Sequence, residues 1–296
     1  MKPYLWVFAL LVCLSCRSDS QPQDQGTPVS GTFTIYTDET YYPLVQVLAE
    51  GFMSVYPTSN ISIDTSGSGN VYARLSGNGI RAIITCQEIS TVDSTALAQR
   101  KIFPKIFHFA TDAIAVISKA KTNNGTSFVM KGDMSSCLEN SLSPIAEKII
   151  TDRPGSENNG FLKTRYATAG DCMKNWLAAG NQKAVIDVVS QNEKQIGLVG
   201  WSYLSDKDDP EMMSRRALIN IIPFSVDTTL IYPSQSAIIT GTYPLSRKIY
   251  LVTAEPHTGP ATGFASYVAS SEGQRIIRMI GLAPANTPPR EIYIHQ

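Results

Sequence analysis

Histidine is nearly absent from this chain, charge is sparse, and neither sign of charge predominates. Among 296 residues there are 3 His, 17% are charged, and 25 basic residues stand against 25 acidic ones. Zero net charge lacks the basic excess that a nucleic-acid-binding surface needs, so no nucleic-acid partner is expected. Catalytic loop motifs are missing as well. Gly67-Ser68-Gly69 has Ser66 where a nucleophile elbow needs its first Gly. A P-loop needs Gly-Lys-Ser/Thr, which does not occur. A dinucleotide loop needs a third Gly where Tyr72 stands. The adjacent acids Asp38-Glu39 and Asp208-Asp209 would point to opposite faces of a strand, so neither forms an evident acid/base couple. These absences argue against an enzyme. What remains is 43% hydrophobic, ample for a packed core, at a length that suggests about two domains.

Long apolar runs are lacking too, apart from one at the start. Tyr4 to Leu14 is an unbroken run of eleven apolar residues, short of the roughly 20 that span a bilayer. Lys2 precedes it, Ser15-Cys16 follows, and the chain then turns polar, the pattern of a secretory signal. A Cys directly after that small residue resembles a bacterial lipobox, although Cys13 stands where Leu is usual. The expectation is removal of residues 1–15, lipidation of Cys16 and a tether over 16–30. Plain signal-peptide cleavage nearby is the alternative. The protein is expected to be exported to the periplasm or cell envelope and to touch the membrane through its anchor only. The three remaining cysteines, Cys86, Cys137 and Cys172, are an odd number, so they allow at most one disulfide within the chain. None is near another in sequence, so no zinc site is expected and no cofactor is implied.

From Gly31 onward strand and helix patterns alternate. Thr32–Thr37 is β-like. Pro43–Tyr56 carries Leu44, Leu48, Phe52 and Tyr56 at a spacing of four, an amphipathic helix. Strands are expected at Ile61–Thr65 and Ile80–Thr85, with a Ser/Gly loop and short helix between them. This alternation predicts an α/β fold with a parallel sheet covered by helices. Lys105–Ser118 is too long for one ordinary strand, is interrupted by Thr111-Asp112, and is expected to cross between two lobes. A second set follows: helices opening near Ser156 and at Lys183–Asn192, and strands at Ile196–Trp201 and Leu218–Pro223. The chain ends with a β-like Pro244–Thr253, then helices at Pro260–Ser270 and Ser271–Met279.

Three loops rich in hydroxyls and Gly stand between these strands and helices: Thr37–Thr40, Ser66–Asn70 and Asp152–Asn158. Helix N-termini carry unpaired N–H groups and about half a unit of positive charge. Ser and Thr add rotatable donors, and Arg153 adds a fork suited to an oxyanion. Many neutral dipoles can share an anion's charge without a basic surface. Each loop alone also fits ordinary N-caps and turns.

Taken together, several stretches resemble the phosphate-binding substrate-binding proteins of bacterial ABC transporters, in a variant found among Bacteroidota lipoproteins. They are DETYYPLV at 38–45, SGSGN at 66–70, RKIFPKIFHFATDAIAVI at 100–117, IGLVGWSYLSD at 196–206 and the long run from Tyr243 to Pro284. The resemblance implies a two-lobed type 2 periplasmic binding protein fold, each lobe a mostly parallel sheet flanked by helices and joined by hinge strands. Lobe one would hold residues 31–109 and 252–296, and lobe two 110–251. It implies a monomer that carries inorganic phosphate or a similar tetrahedral oxyanion to an ABC permease. Its ligand loops fall on Asp38 and Thr40, on Ser66, Ser68 and Gly69, and on Arg153, Ser156 and Asn158, with Thr85 after the third strand.

The departures concern selectivity. Cys86 stands where many members have the Asp that recognises the proton of monohydrogen phosphate, and Glu157 and Asn158 replace Gly and Thr. Asp38 or Glu157 is then the candidate replacement acceptor, since a carboxylate beside a dianion is repulsive unless it shares that proton. A degenerate relative acting as a surface sensor or interaction module is the rival reading, and an ester hydrolase ranks last. Trp201 is expected in the core of lobe two, His108 in the core of its strand, and Arg100 and Lys101 at a solvated helix end. Cys137 and Cys172 are a conceivable disulfide pair.

Overall fold

The computed structural model describes residues 26–66, 69–77, 80–119, 128–129, 147–166, 176–226 and 229–286. The signal run, Cys16, Ser68, Cys137 and Cys172 lie outside the described residues.

The strands are β1 (Gly31–Thr37), β2 (Ser59–Asp64), β3 (Ile80–Thr85), β4 (Lys105–Lys119), β5 (Phe128–Val129), β6 (Lys148–Thr151), β7 (Trp176–Ala178), β8 (Gln195–Gly200), β9 (Ile219–Ile222), β10 (Phe224–Val226), β11 (Thr229–Ile231), β12 (Ser246–Thr253) and β13 (Ala283–Pro284). The α-helices are α1 (Tyr42–Val55), α2 (Thr91–Gln99), α3 (Glu157–Tyr166), α4 (Gln182–Gln191), α5 (Pro210–Arg216), α6 (Gln235–Ile239), α7 (Pro260–Ala269) and α8 (Ser271–Met279). One mixed sheet runs β2-β1-β3-β12-β4-β8-β6-β7, with β9 and β13 also paired to β4, and a small sheet joins β11, β10 and β5.

The strand patterns read from sequence hold to within a few residues. β1 pairs in parallel with both β2 and β3, as the βαβ alternation requires. The apolar run at 105–119 is one continuous strand whose two ends serve different lobes. Its first part, to Ala113, pairs with β12, and from Ile114 on it pairs with β8 and β9. Fifteen residues at about 3.3 Å each give a strand on the order of 50 Å long, enough to reach through both lobes. The lobe boundaries expected at 109/110 and 251/252 both fall inside strands that pass through this region, β4 and β12. β12 sits in the first lobe's sheet, antiparallel to β3, which brings the C-terminal helices back to the first lobe.

The helix over residues 42–55 forms for the predicted reason. Leu44, Val45, Leu48 and Phe52 make one buried face, and Pro43 lies in its first turn. Each such side chain contributes about 1.5–3 kcal/mol when fully buried. Phe52 packs edge-on against Phe264 and Tyr267 of α7, with ring centroids 5.7 and 5.5 Å apart. The start of α7 is held by Glu255, which accepts from the backbone N–H groups of Gly259, Ala261 and Thr262 and from the Thr262 hydroxyl. A carboxylate at a helix N-terminus satisfies donors that the helix itself cannot.

Two expectations are corrected. Residues 26–30, read as the end of a tether, pack against the first lobe. The Thr58 hydroxyl donates to the Val29 carbonyl, and a Cβ on Gly263 would lie 1.7 Å from the Pro28 carbonyl oxygen. The lack of apolar periodicity did not reveal this, because the contact is made through backbone. His108 is exposed rather than a core residue. It stands beside the Tyr250 ring in the first four residues of β4, Lys105 to His108, all of which are exposed. Trp201 is buried as expected and donates to the Gly281 carbonyl at 3.3 Å.

Phe52→Ala is expected to lower the unfolding free energy by about 3–5 kcal/mol, because the aromatic cluster around it leaves a cavity. Urea denaturation checks this, and a loss under about 1 kcal/mol would mean that the α1–α7 contact is not the packed core described.

Candidate functional site

The C-terminal ends of β1, β3 and β6 converge where the two lobes meet. β1 ends in Thr37, and Asp38 follows as the cap of a single 3-10 turn, Glu39–Tyr41. The Asp38 Oδ1 accepts from the Thr40 N–H at 2.9 Å and the Thr40 hydroxyl at 2.6 Å. Its Oδ2 accepts from Arg153 Nη2 at 2.7 Å, an ion pair between the lobes with the Asp38 side chain almost wholly buried. Thr40 is further held by Gln182 Nε2, which donates to its hydroxyl at 3.4 Å, and by the Ser202 hydroxyl, which donates to its carbonyl at 2.8 Å. Gly200 permits this approach, since a Cβ there would lie 2.7 Å from the Thr40 methyl.

The loop before α3 is folded around a second carboxylate, Asp152. The Ser156 hydroxyl donates to it at 2.5 Å, Asn158 and Asn159 donate at 3.3 Å each, and the Gln182 amide donates as well. Ser156 also caps α3, accepting from the Asn159 N–H at 3.2 Å. Burial pushes the Asp152 carboxyl up to about 6, against the pull of the Ser156 hydrogen bond, with Asp38 acting in the same direction as burial.

The third carboxylate, Glu157, opens α3 and is buried. Its Oε1 accepts from the Thr85 hydroxyl at 2.7 Å and from Gln87 Nε2 at 3.1 Å. Its Oε2 accepts from the Cys86 N–H and the Cys86 thiol, both at 2.9 Å. All four donors belong to the end of β3 in the other lobe. Burial raises the Glu157 carboxyl above the usual range, opposed by these hydrogen bonds and reinforced by Asp38. Burial also holds the Cys86 thiol protonated, with Glu157 adding to the effect.

Beneath this cluster Arg247 of β12 faces Asp112 of β4 across the sheet, Nη2 to Oδ2 at 3.0 Å, with both side chains out of solvent. Asp112 also accepts from the Ser202 N–H at 3.1 Å. The guanidinium lies 5.0 Å from the Tyr41 ring centroid, and its Nε and Nη1 have no hydrogen-bond partner among the described residues. Beside Cys86 and Gln87 opens a cavity of about 560 Å³ whose lining includes the bases Arg165, Arg247 and Lys248 and the acid Glu88, with the Arg247 charge already met by Asp112.

Six sequence candidates therefore gather in one cluster: Asp38, Thr40, Thr85, Arg153, Ser156 and Asn158. Ser66 and Gly69 do not join it. Both are exposed, and the Ser66 N–H is spent locally on Asp64 at 2.7 Å. Ser156 and Asn158 were picked as free donors, yet both are engaged by Asp152, whose part the sequence did not suggest. Gln182, Ser202, Asp112 and Arg247 were missed. The signal for the last two was a lone acid, Asp112, in one apolar β-like run and the bases Arg247-Lys248 in another, where pairing across adjacent strands neutralises the acid.

The residues matched by a family model for the PBP superfamily domain run from 22 to 272. The chain belongs to the PBP superfamily. Among relatives of this superfamily chain is the phosphate-binding protein PstS of Bacillus subtilis, 22% identical over 89% of this chain and 83% of that one. A putative phosphate ABC transporter substrate-binding protein from Clostridium perfringens, solved with bound phosphate, superposes with a TM-score of 0.67 at 17% identity, over 86% of this chain and all of that one. An ABC-type phosphate transport receptor from Vibrio cholerae superposes with a TM-score of 0.62 at 14% identity, over 86% of this chain and all of that one. These superpositions show the type 2 binding-protein fold.

The raised Asp152 carboxyl gives a pH prediction. Its proton is favoured by the folded state, so the stability it contributes is present below its ordinary value near 3.8 and lost as pH rises through about 6. Between those values wild type should lose on the order of 3 kcal/mol from this group, at about 1.4 kcal/mol for each pH unit that separates them. Asp152→Asn removes that component of the slope, while the contributions of Glu157 and Asp112, which have the same sign, remain. Chemical denaturation from pH 4 to 6.5 on both proteins measures the difference, and parallel slopes would refute it.

Proposed function

We propose that this chain is an exported, lipid-anchored solute-binding protein. It would capture inorganic phosphate or a similar tetrahedral oxyanion between its lobes and deliver it to an ABC permease, with no chemistry on the ligand. The observation that carries this reading is the convergence of hydroxyl, amide and guanidinium donors from both lobes on buried carboxylate oxygens. Groups arranged to hold carboxylate oxygens are the groups an oxyanion requires. The cavity beside Cys86 and Gln87 supports it, since its lining sets Arg165 and Lys248 against one acid, Glu88. Membership of the PBP superfamily and the names of the phosphate-binding relatives support it further.

Asp38, Thr40, Thr85, Arg153, Ser156 and Asn158 form the centre of the proposed site. Ser66, Ser68 and Gly69 are proposed to join from the second loop when ligand is present. The lobes are 31–109 with 252–296, and 110–251, with residues 1–15 as signal and Cys16 as the lipidated residue. One observation favours a second reading, a relative that serves as a surface sensor or interaction module: the Glu157 carboxylate takes the donors at the end of β3.

Calorimetry with phosphate, sulfate, molybdate and arsenate separates the two. Heat with any of these at micromolar concentration supports the transport reading, and no heat with all four overturns it. Ligand at 100 times its dissociation constant should raise stability by about 2.7 kcal/mol. Arg153→Ala should abolish that shift, and an undiminished shift would remove Arg153 from the site.

A further inference from the structure

A buried carboxylate is costly unless it is fully hydrogen-bonded. Glu157 meets that condition in an unusual way. It stands at the first position of α3, where an acid can serve its own helix N-terminus. Its two oxygens instead cross to the other lobe and take four donors from three consecutive residues, Thr85, Cys86 and Gln87, at 2.7–3.1 Å. Thr85 was singled out from the sequence as an oxyanion ligand, and its hydroxyl is occupied by this carboxylate. The hydrogen bonds also tie the lobes together, alongside the Asp38–Arg153 pair and the Thr40 contacts to Gln182 and Ser202.

We propose that Glu157 is an internal ligand of the oxyanion site. It closes the lobes on the chain's own carboxylate, and an external oxyanion binds by displacing it. The proposal rests on the oxyanion reading and deepens it: the affinity of the site is set by competition between an intramolecular anion and a free one. Two anions cannot share the Thr85–Gln87 donors, because each donor serves one oxygen at a time and like charges at this distance repel. Glu157 thereby also acts as a selectivity residue, since only an anion that uses these donors better than a carboxylate can replace it.

The test compares wild type with Glu157→Ala and Glu157→Gln in the full chain. The glutamine variant keeps the shape, drops the charge and serves if the alanine variant does not fold. Calorimetry with inorganic phosphate and sulfate is expected to show binding to Glu157→Ala at least about tenfold tighter than to wild type, since a like charge leaves the site. Small-angle scattering without ligand is expected to give a larger radius of gyration for Glu157→Ala, which contracts on adding phosphate, whereas wild type is already contracted. Equal affinities and equal radii would overturn the internal ligand and leave the oxyanion function intact. No binding by any of the three would overturn the oxyanion function. In that case a radius unchanged on removing Glu157 would overturn the latch as well, and an increased radius would support it.

Discussion

The pair between Arg247 and Asp112 is the constraint on which the contact between the lobes depends. Register places them opposite each other on β12 and β4 at the point where β4 passes from one lobe to the other. Neither side chain reaches solvent, so each is tolerable only because the other is there, and removing one partner of such a pair costs about 3–5 kcal/mol. The consequences pass outward through single hydrogen bonds. Asp112 fixes the Ser202 N–H, the Ser202 hydroxyl fixes the Thr40 carbonyl, Thr40 shares its hydroxyl with Asp38, and Asp38 holds Arg153 of the other lobe.

Built on that base, the cleft contains an unusual balance. Donors suited to an anion come from both lobes, and each set already serves a carboxylate of the chain: Asp38, Asp152 and Glu157. A binding protein must change conformation when ligand arrives, so its ligand-free contacts must be replaceable at modest cost. Contacts that mimic the ligand meet that need, because the same donors can exchange one anion for another without ever being left unpaired in a buried place.

Much of the fold was legible in the sequence because it is written in local patterns. The spacing of Leu44, Leu48 and Phe52 specified α1, and the alternation around Thr32–Thr37 specified β1. The long β-rich run at 105–118 announced a strand that crosses between lobes. The candidate site was legible only in part. Asp38, Thr40, Thr85, Arg153, Ser156 and Asn158 were found through loop chemistry and resemblance, and they do converge. Their partners were not found. Gln182 sits 142 residues from the Thr40 hydroxyl it meets, and Asp112 lies 135 residues from Arg247, so no local pattern relates them.

The amino-acid order alone determined which segments become helix and strand and which loops offer donors. These follow from periodicity, side-chain chemistry and composition, which act over a few residues. Tertiary structure alone decided what those donors hold. Whether the Thr85 hydroxyl faces solvent, a free anion or Glu157 depends on how closely the lobes approach. That distance is set by packing and buried charge across the whole chain.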